Sequence, residues 1–192
     1  MFDFITQLDY SILVFIQEFL RFDWLTGPMV FVSRLGDSGF IWILLCLILL
    51  IPKKTRKIGI CAIAALAIGV LITNIGLKNA VGRIRPYDQF QDLILLVDAQ
   101  HDFSFPSGHS CSSFAAAYAV YLSLDKGKKK WGVLLLIFAG WIAWSRLYVA
   151  VHFPTDVIVG ILVGLFSAWA AFKLLNWYQN HRQFVEKSEI ND

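Results

Sequence analysis

Three short stretches of the chain concentrate its chemistry. The first holds Lys78 and, after six residues, Arg85-Pro86; the second is Pro106-Ser107-Gly108-His109; the third holds Ser145-Arg146, His152 and Asp156. Together they carry three cations, two imidazoles and a carboxylate, each stretch at the edge of an apolar run. Cations that neutralise oxygens, one imidazole that can attack and another that can carry a proton are what phosphoryl transfer to a histidine requires.

Each stretch supports that chemistry and also a plainer reading. If the apolar run before Lys78 continues as a helix, the step from Lys78 to Arg85 is about two turns and puts both on one face. Pro86 then ends that helix and pushes Arg85 out of helical geometry. Arginine offers a planar fork to two phosphate oxygens, and lysine a mobile point charge. Taken alone, the pair reads more readily as snorkelling cations at a membrane edge. Arg83 lies off the shared face and is read that way.

Pro106 suits the first turn of a helix, where its missing N–H costs nothing. The amides of Ser107, Gly108 and His109 then form an anion site at the positive end of the helix dipole. Gly108 lets a phosphate approach the backbone, the Ser107 hydroxyl adds a donor, and His109 beside them can protonate a leaving oxygen. A simple capped helix with an interfacial histidine is the other reading.

In the third stretch, Pro154 starts a helix with Thr155 and Asp156 in its first turn, where the dipole keeps Asp156 ionised. Asp156 can accept a hydrogen bond from one ring nitrogen of His152, which leaves the other as a lone-pair nucleophile. Arg146 supplies a third cation. A lone interfacial histidine is more often just a satisfied polar residue. A histidine with an aspartate four residues on and an arginine six before is harder to explain in that way. His101 and His181 lack such neighbours and are read as loop and tail residues.

These stretches are positioned by apolar helices. The chain has 192 residues, is 57% hydrophobic and only 16% charged, with a mean hydropathy of +0.61. A soluble domain of this length could not hide so much apolar surface. The class is therefore all-α, a multi-pass transmembrane helical bundle with the bilayer as its main solvent. Spans are expected at 39–52, 58–77, 107–124, 131–151 and 154–175, about five in all. Ahead of them, Ile5, Leu8, Ile12, Phe15 and Phe19 recur at helical spacing, so residues 5–20 are expected to form an amphipathic interfacial helix. Residues 22–35 resemble them, with Gly27-Pro28 marking a break. Residues 86–105 form a mixed loop with Asp88, Asp92, Asp98 and Asp102, and the polar tail beyond Asn176 is expected to fray. The division is an interfacial segment 1–36, a bundle 37–176 and a cytoplasmic tail 177–192.

Charge sets the orientation. Lys53, Lys54, Arg56 and Lys57 lie in one turn, Lys126, Lys128, Lys129 and Lys130 in another, and Lys173, Arg182 and Lys187 lie in or near the tail. Five-span threading puts all of these on one side, the cytoplasmic side by the positive-inside rule. The three motifs then share the extracytoplasmic face of a cell membrane. The net charge of +3 is modest, and nucleic-acid binding is not expected. Cys46, Cys61 and Cys111 are scattered, fit no metal site and are read as small buried residues. The N-terminus lacks a basic stretch, and Asp3 and Asp9 interrupt its apolar character, so no cleavable signal is expected.

Taken together over residues 78–156, the three motifs resemble the signature of the type 2 phosphatidic acid phosphatase superfamily, in order and spacing. The chain is similar to the compact bacterial membrane members. The resemblance implies a helical bundle holding a metal-independent phosphatase with no cofactor. It implies His152 as the nucleophile, Asp156 as the residue that orients it and His109 as the acid for the leaving group. Lys78, Arg85, Ser107, Gly108 and Arg146 would bind the phosphate. The expected substrate is a membrane lipid phosphate or diphosphate, such as undecaprenyl diphosphate, phosphatidylglycerol phosphate or phosphatidic acid. Two alternatives are a phosphotransferase with the same pocket and a non-enzymatic lipid transporter or scaffold. Soluble vanadate-dependent haloperoxidases share the pocket, but this chain's hydrophobicity argues against that branch.

Overall fold

In the computed structural model, the backbone is described for residues 2–191 and the side-chain surroundings for residues 4–182. The helices run in the order α1 (Phe2–Phe15), α2 (Asp23–Leu35), α3 (Phe40–Leu50), α4 (Arg56–Val70), α5 (Lys78–Val81), α6 (Pro86–Gln89), α7 (Gly108–Ser123), α8 (Lys129–Tyr148) and α9 (Pro154–Asn191). No strand occurs among the described residues. Two π-helical stretches extend this framework, Ile16–Leu20 after α1 and Leu71–Leu77 between α4 and α5.

The all-α membrane bundle stands as expected, and the helix lengths refine the span count. By length and composition Arg56–Gln89, Lys126–Tyr148 and Pro154–Arg182 can each cross a bilayer, and Asp23–Leu35 with Asp37–Leu50, bent by 51°, adds a fourth if the pair acts as one span. Within the fourth, α3 alone has only 11 residues. The run at 107–124 gives α7, whose 16 residues reach about 24 Å, short of the roughly 30 Å hydrocarbon core. Packing explains why α7 can be short. It sits among α4, α8 and α9, and Ala115, Ala116, Ala117 and Ala119 are fully buried.

Small residues bring α7 against α9. A Cβ on Gly160 would lie 2.5 Å from the Ser107 carbonyl, and one on Gly164 would lie 2.5 Å from the Cys111 carbonyl. Two glycines four residues apart let the backbones touch, the packing mode that membrane helices favour. This contact carries the start of α7 to the start of α9, where the Ser107 amide donates to the Asp156 carbonyl at 3.0 Å. At the other end of the bundle Lys57 reaches Gln179 at 3.4 Å, and Lys129 bonds the Tyr121 carbonyl. The basic turns before α4 and α8 therefore gather away from the motifs.

Two local expectations are corrected. Gly27-Pro28 does not break the chain, because Pro28 lies inside α2 and that helix is held against α8. The apolar stripe of α1 points away from the protein. Ile5, Leu8, Ile12, Phe15 and Phe19 are exposed, while Asp9, Leu13 and Ile16 are buried. In α9 the helix continues past Asn176, where fraying was expected. The tail side chains beyond Arg182, Lys187 among them, lie outside the described residues.

Candidate active site

His152 sits on the turn between α8 and α9, 2% exposed, with its Nδ1 3.6 Å from Asp156 Oδ2. That gap is long for a hydrogen bond, and a hydroxyl bridges it. Ser104 Oγ donates to Asp156 Oδ2 at 2.5 Å and lies 3.4 Å from His152 Nδ1. The Phe153 amide also donates to Asp156 Oδ2, at 2.9 Å, and Arg83 Nη1 donates to Asp156 Oδ1 at 2.6 Å. With Nδ1 directed at Asp156, Nε2 is the ring nitrogen left for the cavity that His152 lines. Burial is the main force on the imidazole. Together with Arg85 and Arg146 it outweighs Asp156 and lowers the pKa of His152 to about 3. The ring is then neutral at physiological pH, the state a nucleophile needs.

The cations come together by a route other than the one expected. Lys78 and Arg85 do not share a helix face, because the helix stops at Val81 and Gly82 takes the left-handed conformation at φ +61°. Glycine tolerates that conformation freely. Arg85 is then on an extended segment, and Pro86 begins α6 and does not end the preceding helix. The reversal still brings both side chains to one place. Lys78 pairs with Asp102, and Arg85 Nη2 meets the same carboxylate at 2.5 Å. Arg85 is anchored further by the carbonyls of Asp102 and Val151, both at 2.9 Å. Burial raises the pKa of the Asp102 carboxyl, but hydrogen bonds from Lys78 and Arg85 prevail and hold it at about 2.

Arg146 reaches the site from α8 and bonds Ser33 of α2 through Nη1, while its Nε is buried without a hydrogen-bond partner. His109, in the first turn of α7, places Nε2 2.8 Å from Asp37 Oδ1 on the turn between α2 and α3. Ser107 caps α7 and accepts from the Ser110 amide at 3.4 Å. Its own amide is spent on Asp156. The donors remaining at this helix start among the described residues are the amides of Gly108 and His109. One cavity of about 450 Å³ is lined by Lys78, Arg85, Gly108, His109, Arg146 and His152, with Ile43, Leu66 and Val70 on an apolar side. Ser107 and Asp156 stand behind this lining.

Such a cavity can hold a tetrahedral oxyanion among cations and amides, with an imidazole placed to attack it. The family model of the PAP2 superfamily matches residues 58–180, a stretch that includes every one of these motif residues. The chain belongs to the PAP2 superfamily. It is 37% identical over 148 residues to an undecaprenyl-diphosphatase of Sulfolobus acidocaldarius, covering 77% of this chain and 68% of that relative. It resembles the crystal structure of Aquifex aeolicus LpxE with a TM-score of 0.74 and 28% identity, over 85% of this chain and 93% of the other. The transmembrane PAP2 phosphatidylglycerolphosphate phosphatase of Bacillus subtilis gives a TM-score of 0.72 and 26% identity, over 92% of this chain and 87% of the other. As a PAP2 protein of this membrane group, the chain is an integral membrane phosphatase of lipid phosphates.

The PAP2 motifs account for Lys78, Arg85, Gly108, His109, Arg146 and His152 in the cavity lining but not for what holds them in place. Arg83 was read as a membrane-edge cation. Its side chain is only 16% exposed, and it bonds Asp156, Thr155 and Asp9 while lying 3.9 Å over the Phe153 ring. Asp102, Ser104, Asp9, Ser33 and Asp37 also lay outside the sequence reading of the site. Ser104 precedes the second PAP2 motif by only two residues, a proximity that could have flagged it. The others lie on segments whose placement depends on the fold.

Proposed function

We propose that this PAP2 phosphatase hydrolyses the terminal phosphate of a membrane lipid phosphate or diphosphate through a phosphohistidine at His152, on the extracytoplasmic face. The observation that carries the reading is the shared cavity, in which His152 lies with Lys78, Arg85, Gly108, His109 and Arg146. The phosphoryl oxygens are received by the three cations and by the amides of Gly108 and His109, which stabilise charge as it spreads over the equatorial oxygens. His152 Nε2 attacks phosphorus in line, and the bond to the leaving oxygen breaks as His109 delivers a proton to it. A water then attacks the phosphohistidine, gives its proton back to His109 and releases inorganic phosphate. Burial lowers the pKa of His109 to about 4, and Asp37, bonded to Nε2, opposes that shift, as a phosphate anion bound there would too. Ser107 serves in this scheme as the cap that fixes Gly108 and His109, and Asp156 as the orienter of His152.

The substrate reading follows from lining and relatives. A cavity lined by cations and also by Ile43, Leu66 and Val70 suits a phosphate head group whose tail stays in lipid. The relatives' names speak of undecaprenyl diphosphate and phosphatidylglycerophosphate, which support the class and leave the particular lipid to experiment. The experiment is phosphate release by the purified protein in detergent, across a panel of lipid phosphates and diphosphates, with and without EDTA. Turnover is expected to survive EDTA and to drop by at least about a thousandfold in His152→Ala, as for other covalent nucleophiles. Near-normal turnover by His152→Ala, or loss in EDTA with rescue by Mg2+, contradicts the scheme.

A further inference from the structure

Asp156 can orient His152 only if its own carboxylate is fixed. A carboxylate offers about four acceptor directions and rotates freely unless its neighbours hold it. Here the two oxygens have different partners. Oδ2 takes Ser104 and the Phe153 amide and faces His152 Nδ1. Oδ1 takes Arg83 Nη1 at 2.6 Å. Arg83 therefore fixes the plane of the carboxylate, because holding one oxygen on the guanidinium keeps the other aimed at Ser104, the Phe153 amide and His152.

Arg83 is itself held from a distant part of the chain. Its Nη2 donates to Asp9 Oδ2 at 2.7 Å, and its Nη1 reaches Thr155 Oγ1 at 2.7 Å. Asp9 is 2% exposed on α1 and also receives the Thr155 amide at 3.0 Å and the Thr155 hydroxyl at 2.5 Å. A charge this deeply buried needs such pairing. Two buried carboxylates, Asp9 and Asp156, thus share one guanidinium across the first turn of α9. Neither Asp9 nor Arg83 lines the cavity. Their effect on a phosphate must pass through Asp156.

We propose that Asp9 and Arg83 are positioning residues for phosphoryl transfer, acting through Asp156 to hold His152 in its attacking orientation, so that α1 supplies a working part of the site. The inference rests on the reading of His152 as the nucleophile. It predicts a division of kinetic effects. Interactions that orient the attacking atom are felt in kcat, while interactions with the bound phosphate are felt in KM and in inhibition by phosphate.

The test uses the full-length protein in detergent with one lipid phosphate substrate and inorganic phosphate as competitor. Arg83→Gln is expected to lower kcat by about a hundredfold and Asp9→Asn by about tenfold, with KM and the inhibition constant for phosphate within about threefold of wild type. The double variant is expected to be no worse than Arg83→Gln, because both changes break one chain of contacts. Arg83→Lys keeps a cation beside Asp156 without the fork and is expected to restore part of kcat. A contact that only staples α1 to α9 would instead lower the melting temperature and leave kcat intact in the folded fraction. That result, multiplicative losses in the double variant, or equal damage to KM and phosphate binding would overturn the proposal. If Arg83→Gln fails to fold, Arg83→Lys and Asp9→Asn decide it by the same split. Turnover by His152→Ala would sink the underlying nucleophile assignment, whereas an inactive His152→Ala beside a fully active Arg83→Gln sinks only this inference.

Discussion

Asp102 places a carboxylate on Lys78 and Arg85, where the phosphate is proposed to bind. It pairs with both Lys78 and Arg85, yet it is 54% exposed on a loop, so it can leave without unpacking the core. With its pKa held at about 2 by those cations, it stays ionised across the working range and competes with phosphate at every such pH. Asp102→Asn keeps the shape and removes the competing charge. Inorganic phosphate is expected to inhibit that variant about tenfold more tightly than wild type, as two cations lose their internal anion. Weaker inhibition would mean that Asp102 mainly orients Lys78 and Arg85. At this scale Lys78, Arg85, Gly108, His109, Arg146 and His152 of the cavity lining were legible in the sequence, because they carry spacings that chemistry explains. Asp102 was not, because Asp88, Asp92, Asp98 and Asp102 look alike in a loop and only its path selects one of them. Arg83 was not legible as a partner of Asp156, because a helix continued through Gly82 would carry it off the face of Lys78 and Arg85, whereas the backbone there turns left-handed.

At the level of elements, the site depends on how closely α7 approaches α9. Gly160 and Gly164 remove the side chains that would hold the two backbones apart, and the Ser107 amide then reaches the Asp156 carbonyl. This contact therefore ties the start of α7 to the start of α9 and so to Asp156 beside His152. A methyl at Gly160 must displace backbone, not a flexible side chain, so Gly160→Ala is expected to destabilise by about 1–3 kcal/mol, as overpacked cores do. Most of the activity is expected to go with it. Gly140→Ala on α8 meets open space and serves as the control, with the melting temperature and turnover unchanged or slightly improved. A thermal melt and a phosphate-release assay on the two variants check both. The same elements show where periodicity misleads in a membrane. The apolar stripe of α1 was legible as an amphipathic helix, but the place of Asp9 was not. With lipid as solvent the stripe can point outward, and Asp9, which merely seemed to interrupt it, is the residue that points in.

For the molecule as a whole, the arrangement of charge bears on which compartment the cavity opens to. The basic turns before α4 and α8 gather at one end with the distal part of α9, and the motif residues gather at the other. The positive-inside rule counts lysine and arginine in short loops, and here it favours the basic end as cytoplasmic. Lys78, Arg83, Arg85 and Arg146 lie at the opposite end, but each is engaged with a protein group. Charges held in this way are sequestered in the site and do not act as free topological signals. The orientation can be read with thiol labelling, because the native Cys46, Cys61 and Cys111 are all buried. Ala99→Cys sits on the exposed loop beside the cavity, and Lys128→Cys on the basic turn at the other end. A membrane-impermeant maleimide applied to intact cells is expected to label Ala99→Cys at once and Lys128→Cys only after permeabilisation. The reverse pattern would leave the chemistry at His152 untouched but turn the phosphatase to face the cytoplasm, so that lipid phosphates of the inner leaflet became its substrates.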